Sequence, residues 1–145
     1  IRINMNELQL RKIKKSDWDF ILELRNKQRK YFFQDKIITS NEHLEYMKKN
    51  VKNPNFKAWI IKNNDLNLGY VRLLNGELSI VLDEKYQGQG FGTIALNLGI
   101  KKCKGKLTAL IRTDNLASYN LYTKCGFVQK KQEKNIRFLE LERSQ

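Results

Sequence analysis

The sequence predicts an α/β fold, a mixed and mostly antiparallel central sheet flanked by helices. Three observations predict it. Segments with apolar residues at every second position alternate with segments at helical spacing. Three strand-like segments follow one another through tight turns, as an antiparallel meander does. After them come a strand, a helix and a strand in that order, which requires a parallel pairing through a crossover. No internal repeat, linker or low-complexity stretch interrupts the pattern, and 145 residues is the size of one domain, 1–145.

The elements read in order as β-α-α-β-β-β-α-β-α-β-β. Leu8–Ile13 alternates loosely and is a first strand. Ser16-Asp17 offers an N-cap, and Trp18, Ile21 and Leu22 follow at helical spacing, so Asp17–Asn26 is a helix. Gln28–Ile38 is an irregular loop rich in aromatics and cations. Thr39-Ser40-Asn41-Glu42 is a capping box, and it opens a second helix with Leu44, Met47 and Val51 as its stripe. Pro54, the only proline, closes the connection after it. Phe56–Lys62, Leu68–Leu74 and Glu77–Leu82 are the meander, joined by Asn63-Asn64-Asp65 and by Asn75-Gly76. Phe91 to Lys104 is apolar and helical, and Gly105 stops it. Lys106–Arg112 is a strand, and Asp114-Asn115 caps a helix through Lys124. After Gly126, Phe127–Lys130 pairs with Asn135–Leu141.

The stretch with chemistry in it is Glu77 to Thr93: strand, glycine-rich loop, helix start. Gly88, Gly90 and Gly92 alternate with Gln89 and Phe91. Glycine takes positive φ and lets a ligand approach the backbone. A helix N-terminus leaves N–H groups unpaired and carries the positive end of the dipole, so it favours a phosphate or pyrophosphate. The dinucleotide fingerprint does not fit, because Gly90 is followed by Phe91-Gly92. The P-loop does not fit either, since no Gly-Lys-Ser/Thr follows. The spacing is Gln87-x-x-Gly90-x-Gly92.

That spacing resembles the signature of the GCN5-related N-acetyltransferase (GNAT) superfamily. A second stretch strengthens the resemblance: Asn115, Ser118, Leu121-Tyr122 and Gly126-Phe127, about thirty residues on with a strand between. The order of elements is similar to that family over Leu8–Leu141. The resemblance implies a single N-acetyltransferase domain whose central strands splay to admit acetyl-coenzyme A, with no metal. It implies that backbone groups near Ile80 and Leu82 bond the pantetheine arm. Gln87, Gly88, Gln89, Gly90, Phe91, Gly92 and Thr93 would hold the pyrophosphate, and Asn115 and Ser118 would complete the cofactor site. Tyr122 would stand near the sulfur as a proton donor to the departing thiolate. The family transfers its acetyl group directly, so Cys125 carries no intermediate. Glu77, or a water on its strand, is the candidate base for the amine.

Lys and Arg number 28 against 15 Asp and Glu, a formal net charge of +13. A solvated lysine-rich surface fits this, and so does an acidic ligand such as coenzyme A or a nucleotide-linked sugar. Nucleic acid is the third reading. The lysines are scattered and no nucleic-acid motif appears, so no such partner is expected. Two cysteines and one histidine exclude a zinc site of usual spacing. No apolar run reaches about 18 residues, and Ile1–Leu10 lacks an apolar signal core. A cytoplasmic protein, monomer or homodimer, without a membrane role is the expectation.

The acceptor is expected to lie among the first two helices and their loop. Arg25-Asn26, Arg29, Tyr31-Phe32-Phe33 and Glu42-His43 resemble two branches of the family. One acetylates nucleotide-linked deoxy-amino-sugars, as in pseudaminic acid synthesis. The other acetylates N-terminal amines of ribosomal proteins. Leu24 and Tyr46 stand where both branches usually have Trp. Arg25 and Arg29 suit a diphosphate, and Tyr31 and Phe33 suit a base, with His43 beside them. The favoured acceptor is therefore a nucleotide-linked amino-sugar. A protein N-terminus or lysine, another small amine, and a non-catalytic coenzyme A-binding module are the alternatives.

Overall fold

In the computed structural model residues 3–143 are described; residues 1, 2, 144 and 145 of the expected 1–145 domain lie outside them. The sheet has seven strands in the order β1-β2-β3-β4-β5-β7-β6. They are β1 Leu8–Lys12, β2 Phe56–Asn63, β3 Leu66–Leu74, β4 Glu77–Leu82, β5 Thr108–Arg112, β6 Phe127–Glu133 and β7 Ile136–Leu141. The helices are α1 Trp18–Lys27, α2 Ser40–Asn50, α3 Phe91–Lys101 and α4 Leu116–Lys124. Every pairing is antiparallel except β4 with β5, which the α3 crossover makes parallel.

The expected order of elements holds throughout. The differences are at ends, where local hydrogen bonds decide. No side chain caps α1: Asp17 stands at the N-cap, but its carboxylate turns back to accept from the Lys14 N–H at 2.7 Å and from both Arg11 terminal nitrogens at 2.9 Å. The β2–β3 hairpin is tighter than expected, because Asn64 takes φ +52° and lets Asn63 and Leu66 pair. β6 runs on to Glu133, past an irregularity between Gln129 and Lys131. α3 stops at Lys101 and the chain leaves it in tight turns.

The two sheet faces differ. Leu78, Val71, Ile61 and Ile111 face α3 and α4 in the larger core, with Phe91, Ala95, Leu96, Tyr122 and Phe127. Ile60, Tyr70 and Val81 face α1 in a smaller core, with Ile21 and Leu24. The period of two in β3 and β4 therefore assigns Leu78, Ile80 and Leu82 to one face and Glu77, Ser79 and Val81 to the other. β4 and β5 pair only at Glu77 with Thr108 and then part. That parting opens the middle of the sheet.

Candidate active site

The backbone edge of β4 that faces the parting can be read from its register. Ile80 lies opposite Val71, and its N–H bonds on the side away from β3. By alternation, the N–H and C=O groups of Leu78, Ile80 and Leu82 all point toward β5. The Leu78 N–H belongs to the one bridge with β5, and three others have partners. The Tyr122 hydroxyl, coming from α4, donates to the Leu78 carbonyl and accepts from the Ile80 N–H, both at 3.1 Å. Gln87 Nε2 donates to the Leu82 carbonyl at 2.8 Å. So of the backbone groups near Ile80 and Leu82, where the pantetheine arm is expected, the Ile80 N–H and the Leu82 carbonyl are bonded within the chain. The Ile80 carbonyl and Leu82 N–H remain on that edge.

Tyr122 is buried and packs edge-on against Phe127, with ring centroids 5.1 Å apart. Burial pushes its phenol well above the ordinary value, while the Ile80 N–H pulls it back. Cys125 and Cys103 are free thiols, both raised by burial.

Beside the parting, α3 begins at the glycine loop. Gly88 has φ +73° and Gly90, the N-cap, φ +91°. No side chain caps this helix. α2 and α4 are different. Thr39 and Glu42 close a capping box on α2, and Asn115 Oδ1 accepts from the Ser118 N–H on α4 at 3.1 Å. The α3 N-terminus is thus left with its N–H groups for an outside anion, which fits the pyrophosphate of acetyl-coenzyme A. Gly92 also admits the Leu121 side chain, which a Cβ there would meet at 3.4 Å.

A cavity of about 880 Å³ runs from this loop, past Tyr122, to the face covered by α1 and α2. Of the expected site residues, it is lined by Arg25, Tyr31, Phe33, His43, Glu77, Ile80, Leu82, Gln87, Gly88, Gly90, Gly92, Thr93, Asn115, Ser118 and Tyr122. Three lie elsewhere. Phe91 is in the core, Gln89 is exposed and bonds the Lys85 carbonyl, and Arg29 is exposed and bonds the Asn26 carbonyl. Asn115 has its side-chain oxygen engaged in the α4 cap rather than open to a ligand.

The acceptor side corrects the diphosphate argument. Arg25 is buried, with its guanidinium 4.5 Å from the Phe32 ring centre. It donates to the Lys36 carbonyl at 3.2 Å and also to the Gln34 carbonyl. It clamps the loop, so it is not a cation left for phosphate. Asn26 completes the clamp by exchanging two bonds with Ile38 at 2.9 Å. Arg112 reaches across from β5 to the Phe32 carbonyl at 3.1 Å while pairing with Asp114. His43 is buried, and its Nε2 donates to the Trp18 carbonyl at 2.9 Å, tying α2 to α1. Burial lowers its pKa, with the Trp18 carbonyl opposing.

Arg72 and Arg112 are the contributors that sequence patterns missed. Arg72 occupies an ordinary outward strand position. Only its register opposite Ser79, beneath Tyr46 of α2, puts it in the cavity.

The family model described as Acetyltransferase (GNAT) domain matches residues 7–128. The chain belongs to the GNAT acetyltransferase family. It is an N-acetyltransferase. Among solved structures, it is similar to the spermidine N-acetyltransferase of Vibrio cholerae in complex with CoA and spermine, with a TM-score of 0.80 at 21% identity over 93% of this chain and 94% of that one. It is equally similar to a domain from Methanocaldococcus jannaschii, with a TM-score of 0.80 at 22% identity over 92% and 97% of the two chains. At such identity the likeness carries the GNAT fold and leaves each relative's substrate with that relative. No curated protein matches the chain. Among the described residues no helix is long and apolar enough to cross a membrane, and no group of three or more His, Cys, Asp or Glu could hold a metal.

Proposed function

We propose that this GNAT domain transfers acetyl from acetyl-coenzyme A directly to a primary amine of a small molecule bound between α1, α2 and the 28–38 loop. The observation that carries this is one cavity that joins the uncapped start of α3 to that loop, with Tyr122 in its wall. Bound acetyl-coenzyme A supplies an activated acyl group, from which the amine displaces a thiolate. The chain's own residues do the rest. Loop N–H groups at Gly88 to Thr93 bind the pyrophosphate. The Ile80 carbonyl and Leu82 N–H orient the arm. The Tyr122 hydroxyl, turned from the Leu78 carbonyl, donates to the leaving sulfur. A buried phenol is a weak acid beside a thiol of pKa ~8.5, so its service is chiefly a hydrogen bond to the developing charge. Glu77 lines the cavity and would take the ammonium proton, directly or through water.

The nucleotide-linked sugar loses its main support once Arg25 and Arg29 are seen bonded to backbone carbonyls. A compact amine is the better reading, since the walls here are Tyr31, Phe32, Tyr46 and Tyr70 and the free cations few. Thiol release from acetyl-coenzyme A with a panel of compact amines, nucleotide-linked amino-sugars and free-N-terminus peptides tests this. Compact amines should turn over, and Tyr122→Phe should slow them by about 10²–10³-fold, the cost of losing one hydrogen-bond donor to developing charge. Turnover of the sugars alone would return the acceptor to the nucleotide class.

A further inference from the structure

Arg72 is the guanidinium on the acceptor face whose bonding is incomplete. Arg25 holds two loop carbonyls and stacks on Phe32. Arg11 makes two bonds to Asp17, and Arg112 two to Asp114 plus one to Phe32. Arg72 has only a long contact from Nη1 to the Tyr46 hydroxyl at 3.3 Å and a loose ion pair from Nη2 to Glu77 at 3.5 Å. Its Nε is buried with no partner among the described residues. That Nε is closed to solvent, so a ligand oxygen would meet the exposed quarter of the side chain at the terminal nitrogens, whose present contacts are long and replaceable.

Its place gives that oxygen a meaning. Arg72 lines the cavity and stands opposite Ser79 in the β3–β4 register. The groups flanking Ser79, the Leu78 carbonyl and Ile80 N–H, are those that hold the Tyr122 hydroxyl. The Arg72 guanidinium is therefore one strand away from the point where the amine must meet the acetyl group. We infer that Arg72 reads a carboxylate on the acceptor, so that the acetylated amine carries that group a few bonds from its nitrogen. This rests on the acetyl transfer proposed above.

The pair with Glu77 offsets the charge of Arg72 itself, and a monoanionic carboxylate crowds Glu77 less than a phosphate dianion would. The planar guanidinium also matches two carboxylate oxygens at once. A polycationic amine fits poorly. The carboxylates lining the cavity are Glu42 and Glu77; Glu42 is bonded back to the Thr39 N–H at 2.9 Å, and Glu77 faces Arg72.

The test uses the amino acids from glycine to 6-aminohexanoate, each beside its amide, plus aminoethyl phosphate and a free-N-terminus peptide. Thiol release gives kcat and KM, and calorimetry on the coenzyme A-bound protein gives acceptor binding. At one chain length the wild type should prefer the carboxylate to its amide by tenfold or more, through KM. Arg72→Gln should bring that ratio near one, and Arg72→Lys should restore part of it. Equal use of amide and carboxylate, or preference for the phosphate or the peptide, overturns the inference. So does an Arg72→Gln loss shared by all acceptors, which would mean that Arg72 only positions Glu77. If the carboxylates bind in an Arg72-dependent way but no thiol is released, the carboxylate site stands and the transfer reading falls.

Discussion

The two ends of the cavity are built by opposite means. At the end proposed for the cofactor the available groups are backbone: the uncapped N–H groups of α3, the β4 edge, and glycines at φ +73° and +91°. At the end proposed for the acceptor side chains do the building. Arg25 and Asn26 fasten the 28–38 loop, Arg112 reaches it from β5, and His43 ties α2 to α1. Backbone sites depend on conformation, which a few glycines impose, so they leave a short spacing motif in the chain. Side-chain sites depend on which residues the fold brings together, and those are far apart in sequence. The comparison teaches that a residue type suited to a ligand, such as Arg25, can be wholly employed in holding the loop that covers it.

Breaking the backbone end should give the largest effect. Gly90→Glu forces a side chain into the left-handed region and sets a carboxylate beside the anion site. Acetyl-coenzyme A affinity, measured by calorimetry, should fall at least about 100-fold, or ~2.8 kcal/mol. An unchanged affinity would remove the α3 N-terminus from the cofactor site.

The side-chain end should break separately. Arg25→Ala unfastens the loop and leaves the Gln34 and Lys36 carbonyls without their donor. The loss in stability should be about 1–3 kcal/mol, seen in denaturant midpoints. Acceptor KM should rise while acetyl-coenzyme A KM holds. Arg29→Ala, outside the cavity, should change neither. A rise in both KM values for Arg25→Ala would mean that the two ends are coupled, with Gln87 and its 3.4 Å contact to Gln28 the first place to look.

The smallest effect concerns pH. Burial lowers the folded-state pKa of His43, so the unfolded chain binds its proton more readily. The neutral form's contribution is complete above the unfolded value of about 6.5 and declines as pH falls below it. Thermal melts should therefore lose stability between about pH 7 and 5, and His43→Gln should flatten that part of the slope. A wild-type curve parallel to that of His43→Gln would show that the tie to Trp18 is indifferent to protonation.

Much of the fold was legible because its signals are local. The capping box at Thr39 and Glu42, the Asn75-Gly76 turn and the glycine loop each act within a few residues. Alternation in β4 assigned its two faces correctly. The acceptor side was not legible in the same way. Nothing near Arg72 in the chain announces Tyr46 or Glu77, which register and helix packing bring to it. Nor could composition reveal that the Tyr122 hydroxyl occupies the Ile80 N–H, a contact across 42 residues.

The most direct measurement is a backbone-amide NMR titration with coenzyme A. The amides of Gly88 to Thr93, of Ile80 and Leu82, and of Asn115 to Tyr122 should shift together and saturate. Those of Arg29 to Ile38 should stay in place until an acceptor is added. Saturation with the Gly88–Thr93 amides unmoved would contradict a cofactor site at the start of α3.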